Sequence, residues 1–152
     1  MSGAYPAPTS ALGLQAEAIY QQGYSAYTQE QFEEAQQLID QSLAMYCEAQ
    51  HMPGVMRALH ILGNIAFAQG QYANARTIHE EVLGICRTAQ IMVGVASSLN
   101  NLGLVGERED KYGESCTYLE ESIRIYKEIG DEKSTQAARE NLASVRQKQQ
   151  IK

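Results

Sequence analysis

No apolar stretch in these 152 residues approaches the ~18 needed to span a bilayer, so membrane insertion is not expected. The opening segment, Met1 to Ser10, lacks the basic start and apolar run of a secretory signal. Cysteine is sparse. Three residues, an odd number at unrelated spacings, exclude a disulfide scaffold and make a cytoplasmic setting the expectation. Positive charge is also scarce: twelve Lys and Arg stand against eighteen Asp and Glu, a formal charge of −6. A general nucleic-acid binder carries a basic balance, so no nucleic acid is expected as a partner.

Signatures of chemistry are missing too. There is no HExxH, no CxxC and no nucleophile elbow. Gly103-Leu104-Val105-Gly106 falls inside an expected helix and lacks the Lys-Ser/Thr that completes a phosphate loop. His51 falls in a linker, His60 on a first helix and His79 on a second helix. Cys47, Cys86 and Cys116 fall on second helices, where they are expected to act as small buried hydrophobes. The sequence therefore supports no enzyme, no metal site and no cofactor.

What is present is an ordinary globular composition, 44% hydrophobic and 20% charged, in a chain long enough for one domain with a core. It also holds a repeat. Leu62-Gly63 recurs 40 residues later as Leu102-Gly103; Gly23 stands 40 before Gly63, and Leu142 stands 40 after Leu102. In the same register lie Phe32, Tyr72 and Tyr112, then Ala35, Ala75 and Ser115, then Leu43, Leu83 and Ile123. Each period reads as two helices. Leu59, Leu62, Gly63 and Ala66 share one face of a first helix over Ala58 to Gln69. Ala75, Ile78, Val82, Leu83, Ile85 and Cys86 share a side of a second over Tyr72 to Ala89. His51-Met52-Pro53-Gly54, Ile91-Met92-Val93-Gly94 and Gly130-Asp131-Glu132-Lys133 read as the linkers between periods. The alternation of a half-buried strand is absent, so no sheet is expected. Gly in a helix costs about 1 kcal/mol against Ala, so three aligned glycines imply tight helix crossings, with Ala35, Ala75 and Ser115 on the opposing helix.

The segments Leu59…Leu62-Gly63…Gln71-Tyr72…Ala75…Leu83 and Leu99…Leu102-Gly103…Lys111-Tyr112…Leu119…Ile123 resemble the tetratricopeptide repeat. The first period departs from the pattern at Gln22, the third at Gly106 and Ser115. The usual period is ~34 residues; the longer one here is similar to a variant found in some bacterial regulators and in kinesin-light-chain-type adaptors. The resemblance covers residues 14–150. It implies an all-α fold: a right-handed α-solenoid of three helical hairpins plus a C-terminal capping helix. Repeats are expected at about 16–55, 56–95 and 96–135, and the capping helix at about 133–150. Together they make a domain over 11–150, preceded by a disordered N-terminal arm over 1–10.

The resemblance further implies a non-catalytic protein–protein interaction module, an adaptor or scaffold that binds a peptide or helix in a concave groove. Two alternatives stay open: a self-associating scaffold, hence a homo-oligomer, and a regulatory or sensor domain of a larger signalling protein. Beside the core face of each first helix runs a second stripe: Glu17, Tyr20, Tyr24 and Tyr27; Arg57, His60, Asn64 and Phe67; Ser97, Asn100, Leu104 and Glu107. By resemblance this stripe is the peptide-binding groove. The three tyrosines concentrate rigid amphipathic area of the kind found at binding hot spots, unless they pack on the arm or the second helices. Asn64 and Asn100 offer amides to a peptide backbone. Of the Lys, Asn and Arg that clamp a terminal carboxylate in some relatives only Asn64 is matched, so that ligand is not expected.

Charge is uneven. Residues 1–132 hold 7 Lys and Arg against 17 Asp and Glu, 7 − 17 = −10; residues 133–152 hold 5 against 1, 5 − 1 = +4. The basic end is expected to be a solvated cap that complements helix C-termini. Glu33-Glu34, Glu80-Glu81 and Glu120-Glu121 are expected to form an outer, solvated ridge.

Overall fold

A computed structural model describes residues 6–151. Among these residues the chain is seven α-helices and no strand: α1 (Ala11–Thr28), α2 (Phe32–Glu48), α3 (Met52–Ala68), α4 (Tyr72–Ala89), α5 (Met92–Arg108), α6 (Tyr112–Ile129) and α7 (Glu132–Ile151). They fall into two compact units, residues 1–69 with α1 to α3 and residues 70–152 with α4 to α7.

The helices keep a beat of half a period. Glu30, Gln50, Gly70, Gln90, Asp110 and Gly130 all have positive φ, between 55° and 78°, and they stand 20 residues apart. After five of them the next amide reaches back to a carbonyl five residues earlier: Gln31 to Ala26, His51 to Tyr46, Ile91 to Cys86, Lys111 to Gly106 and Asp131 to Tyr126. That bond closes a Schellman-type helix end, whose left-handed residue is most easily glycine. Here four of the six positions carry a side chain.

The expected linkers are helical. Met52-Pro53-Gly54 is the first turn of α3, Met92-Val93-Gly94 that of α5, and Glu132-Lys133 that of α7. The reason is local. Proline is accepted in a first turn, where its missing N–H has no partner to lose. Gly54 is a seat rather than a breaker: a Cβ there would overlap the ring of Tyr46, and one at Gly94 would overlap Cys86 Sγ. The large residue closing one helix thus packs into the bare first turn of the next.

In the first unit α1 packs on α2, and α3 on both. A Cβ at Gly23 would lie 2.7 Å from Ile39 Cδ1, so the expected tight crossing is present, with Ile39 fully buried against the bare backbone. In the second unit α5 packs between α4 and α6, and α7 lies along α6 and touches α5. In the same way a Cβ at Gly103 would lie 2.6 Å from Leu119 Cγ. Ser115, where the other periods have Ala, donates its hydroxyl to the Gly103 carbonyl at 2.6 Å, so the departure from pattern is a buried, satisfied hydrogen bond. Of the cysteines, Cys86 is buried as expected, Cys116 is half-buried, and Cys47 is exposed, contrary to expectation. Cys47 follows Tyr46 and so turns away from the face that Tyr46 buries.

The ends are finished differently. Of the expected arm over 1–10, residues 1–5 lie outside the described residues. Pro8 is buried and seats on Gly13, and the Ser10 hydroxyl caps α1 by accepting from the Gly13 amide at 3.0 Å. At the other end Leu142 and Val145 of α7 join Leu119 in one buried cluster, flanked by Tyr112, Cys116 and Ile123. Earlier first helices carry buried small pairs three residues apart, Gly23 with Ala26 and Gly103 with Gly106. The matching pair in α7 is Ala143 and Arg146, both exposed, with Arg146 paired to Glu120 at 2.9 Å.

Candidate functional site

In the first unit the stripe residues come together around one ion pair. Glu17 of α1 and Arg57 of α3, one period apart, meet at 2.6 Å. Tyr46 of α2 donates its phenol hydrogen to the same carboxylate, and Gln21 adds an amide at 2.9 Å. The Arg57 guanidinium holds the Glu17 carboxyl well below the usual carboxylate range, down to about 2, against the opposing pull of burial. Burial, then the bond to Glu17, raises the Tyr46 hydroxyl above the ordinary phenol range. The guanidinium also lies 4.8 Å from the centre of the Tyr20 ring, a cation–π contact.

Tyr20 is not presented to solvent. It is 7% exposed and belongs to the core. Tyr24 is different: it stacks on Tyr20 with ring centres 6.2 Å apart and an interplanar angle of 21°, yet is 43% exposed. Tyr27 follows at 6.1 Å from Tyr24, is half-buried, and leans on Phe32 at 6.3 Å. Of the packing partners weighed from sequence, the tyrosines take the second-helix rings, Tyr20 on Tyr46 and Tyr27 on Phe32, while Tyr24 is exposed. On α3, burial lowers the His60 imidazole pKa, and the ring lies 3.3 Å from the Asn64 amide nitrogen. Asn64 and Phe67 are half-buried.

In the second unit the equivalent stripe is largely engaged by α7. Asn141 donates to the Asn100 side chain at 3.1 Å, and Lys148 meets Glu107 at 2.7 Å, leaving that carboxylate only 10% exposed. Leu104 is half-buried. Glu17–Arg57, Asn100–Asn141 and Glu107–Lys148 therefore do one job. Each ties a first helix to the next, 40 or 41 residues on. Glu17, Arg57, Asn100 and Glu107 are on the stripe expected from sequence, whereas Asn141, Lys148 and the ties themselves are not anticipated there. Tyr46 is not anticipated either; the opposite charges one period apart at 17 and 57 are a readable signal for the ion pair that it joins. The Glu ridge is solvated at Glu33, Glu34, Glu80, Glu81 and Glu120, while Glu121 is half-buried beside Arg87 at 3.3 Å.

Among the described residues no three His, Cys, Asp or Glu gather as a metal site, and no helix is long and apolar enough to cross a membrane.

Two stretches, residues 14–88 and 95–129, match the tetratricopeptide repeat. The chain belongs to the tetratricopeptide repeat family. Its fold class is an all-α helical-repeat solenoid, and the coarse function that goes with it is a protein-interaction module. The fold is similar to the apo form of RapI, with a TM-score of 0.85 and 18% identity over 94% of this chain and 40% of that one. It is similar to the Sgt2 TPR domain from Aspergillus fumigatus, TM-score 0.69 and 18% identity, over 95% and 82% of the two chains. It is also similar to the N-terminal domain of stress-induced protein-1 from C. elegans, TM-score 0.68 and 16% identity, over 88% and 98%. The chain thus spans less than half the length of RapI. No curated protein sequence matches it.

Proposed function

We propose that this chain is a non-catalytic adaptor that binds a segment of another protein on the α1–α3 stripe of its first unit, with Tyr24 as the central contact. The observation that carries this reading is one exposed ring in a set of otherwise packed rings. Tyr24 stacks on Tyr20, lies against Tyr27 and still offers 43% of its surface. A preorganised aromatic loses little entropy when a partner arrives, which is what makes such residues hot spots. Glu17, Tyr20 and Arg57 position the face, and Tyr27, His60, Asn64 and Phe67 extend it along the two helices. Asn100, Leu104 and Glu107 form the corresponding stripe of the second unit, where α7 leaves less of it open.

The test is capture from a lysate of the source organism by the parent chain and by Tyr24→Ala. Tyr20 is left intact because it belongs to the core. The reading expects at least one protein captured by the parent and lost with Tyr24→Ala at unchanged helicity. The same set of captured proteins with both chains contradicts it.

A further inference from the structure

The net charge of this molecule is concentrated in the unit that carries the exposed aromatic. Residues 1–69 hold six acids, Glu17, Glu30, Glu33, Glu34, Asp40 and Glu48, and a single cation, Arg57: 1 − 6 = −5. Residues 70–152 hold 11 Lys and Arg against 12 Asp and Glu, 11 − 12 = −1. Nearly all of the net charge of −6 therefore belongs to the first unit. Its one cation is committed to Glu17 at 2.6 Å. The other five acids are exposed, and the unit contains no second Lys or Arg to neutralise them.

Through the same unit runs a line of six rings. His51 lies 5.6 Å from Tyr46, Tyr46 lies 6.4 Å from Tyr20, and Tyr20, Tyr24, Tyr27 and Phe32 follow at 6.1 to 6.3 Å. One rung already holds a cation, since the Arg57 guanidinium sits 4.8 Å over Tyr20. The next rung, Tyr24, is tilted only 21° from Tyr20 and is exposed. Ring faces attract cations, and a planar guanidinium stacks on them better than an ammonium.

We infer that the partner of this face is a basic segment of another protein, with an arginine stacked on Tyr24 as Arg57 is stacked on Tyr20. This rests on the interaction surface proposed above and names the chemistry of what it binds. The five exposed acids of the unit, on α2 and in the turn before it, draw the segment in through their long-range field and disfavour an acidic competitor; the Tyr24 ring fixes where it sits. Arginine is preferred to lysine at that ring, and binding weakens with salt because the acids are solvent-exposed.

The experiment titrates the full chain into fluorescein-labelled eight-residue peptides in which Gly alternates with Arg, Lys, Glu or Leu, and reads anisotropy at low and at physiological salt. The expected order is Arg tighter than Lys, with Glu and Leu not binding. Tyr24→Ala weakens the Arg peptide about fivefold, the size of an exposed cation–π contact, and Tyr24→Phe retains most of the affinity. Circular dichroism confirms that both variants are folded. Glu33→Gln combined with Glu34→Gln weakens Arg and Lys peptides by equal factors, because those acids act through their field alone. Three results overturn the inference: no binding of the Arg peptide, an Arg affinity indifferent to Tyr24→Ala, or a Glu or Leu peptide that binds as tightly. In the last case, a loss with Tyr24→Ala leaves the interaction face standing and removes only its basic partner. Conversely, Tyr24-dependent Arg binding together with unchanged lysate capture by Tyr24→Ala leaves the ligand chemistry standing and removes the adaptor reading.

Discussion

The same substitution, glycine to alanine, has opposite signs at two helical positions of the second unit. Gly84 lies inside α4, and a Cβ there would meet nothing within 4 Å. Gly84→Ala therefore gains helix propensity alone, up to about 1 kcal/mol. Gly103 lies inside α5, and its Cβ would stand 2.6 Å from Leu119 Cγ and 2.8 Å from Cδ2. Carbon atoms in contact prefer about 3.5–4.0 Å, so Leu119 must retreat by about 1 Å. It has nowhere to go, being fully buried with Leu142 and Val145 of α7 in the same cluster. Overpacking of this kind costs about 1–3 kcal/mol. Less the propensity gain, Gly103→Ala destabilises by up to about 2 kcal/mol. For a chain of this size Gly84→Ala raises Tm by up to roughly 4 °C and Gly103→Ala lowers it by up to roughly 8 °C. Urea and thermal melts followed by circular dichroism measure both. Shifts of the same sign in the two variants would refute the claim that the aligned glycines exist to admit a neighbouring side chain.

Three further outcomes follow from the geometry. Gln90 holds φ 57° at the end of α4, a conformation that costs a side chain about 1–2 kcal/mol; Gln90→Gly is expected to stabilise by about 1 kcal/mol in a urea melt, after the entropy glycine gives back to the unfolded chain. Asp131 caps α7 by accepting from the Ser134 amide at 3.0 Å; Asp131→Ala costs about 1 kcal/mol and frays α7, read by amide exchange over 132–138. Glu17 has its folded pKa depressed from 4.5 to about 2, chiefly by Arg57, so its contribution is complete above pH 4.5 and is lost as pH falls toward 2. Glu17→Gln therefore flattens the acid side of the stability profile in that window, and an unchanged profile would show that the pair is not formed in solution.

The repeat was legible because packing demands act on columns. Gly23 and Gly103 need bareness for Ile39 and Leu119, Ala35 and Ala75 are fully buried, and the register follows. Helix starts were not legible at Pro53 and Gly54. Both residues read as breakers in one dimension, whereas the structure uses one as a first-turn residue and the other as a seat for Tyr46. The two Gly at the left-handed positions, Gly70 and Gly130, were visible as stops; Glu30, Gln50, Gln90 and Asp110, in the same conformation, carried no such mark. At the candidate site, side-chain spacing placed the stripe on one face but not the burial within it. Tyr20 and Tyr24 look alike in sequence, whereas in the structure Tyr20 is buried against Arg57 and Tyr46 and Tyr24 is open.

A partner seated on the exposed ring of α1 is within reach of a crosslinker placed there. The direct measurement places the photoreactive residue p-benzoylphenylalanine at position 24, and separately at position 81 on the solvated side of α4, and irradiates each chain in lysate. The expected result is a discrete crosslinked protein from position 24 that is absent from position 81 and is competed away by excess unlabelled parent chain. A crosslink from position 81 with none from position 24 would contradict it.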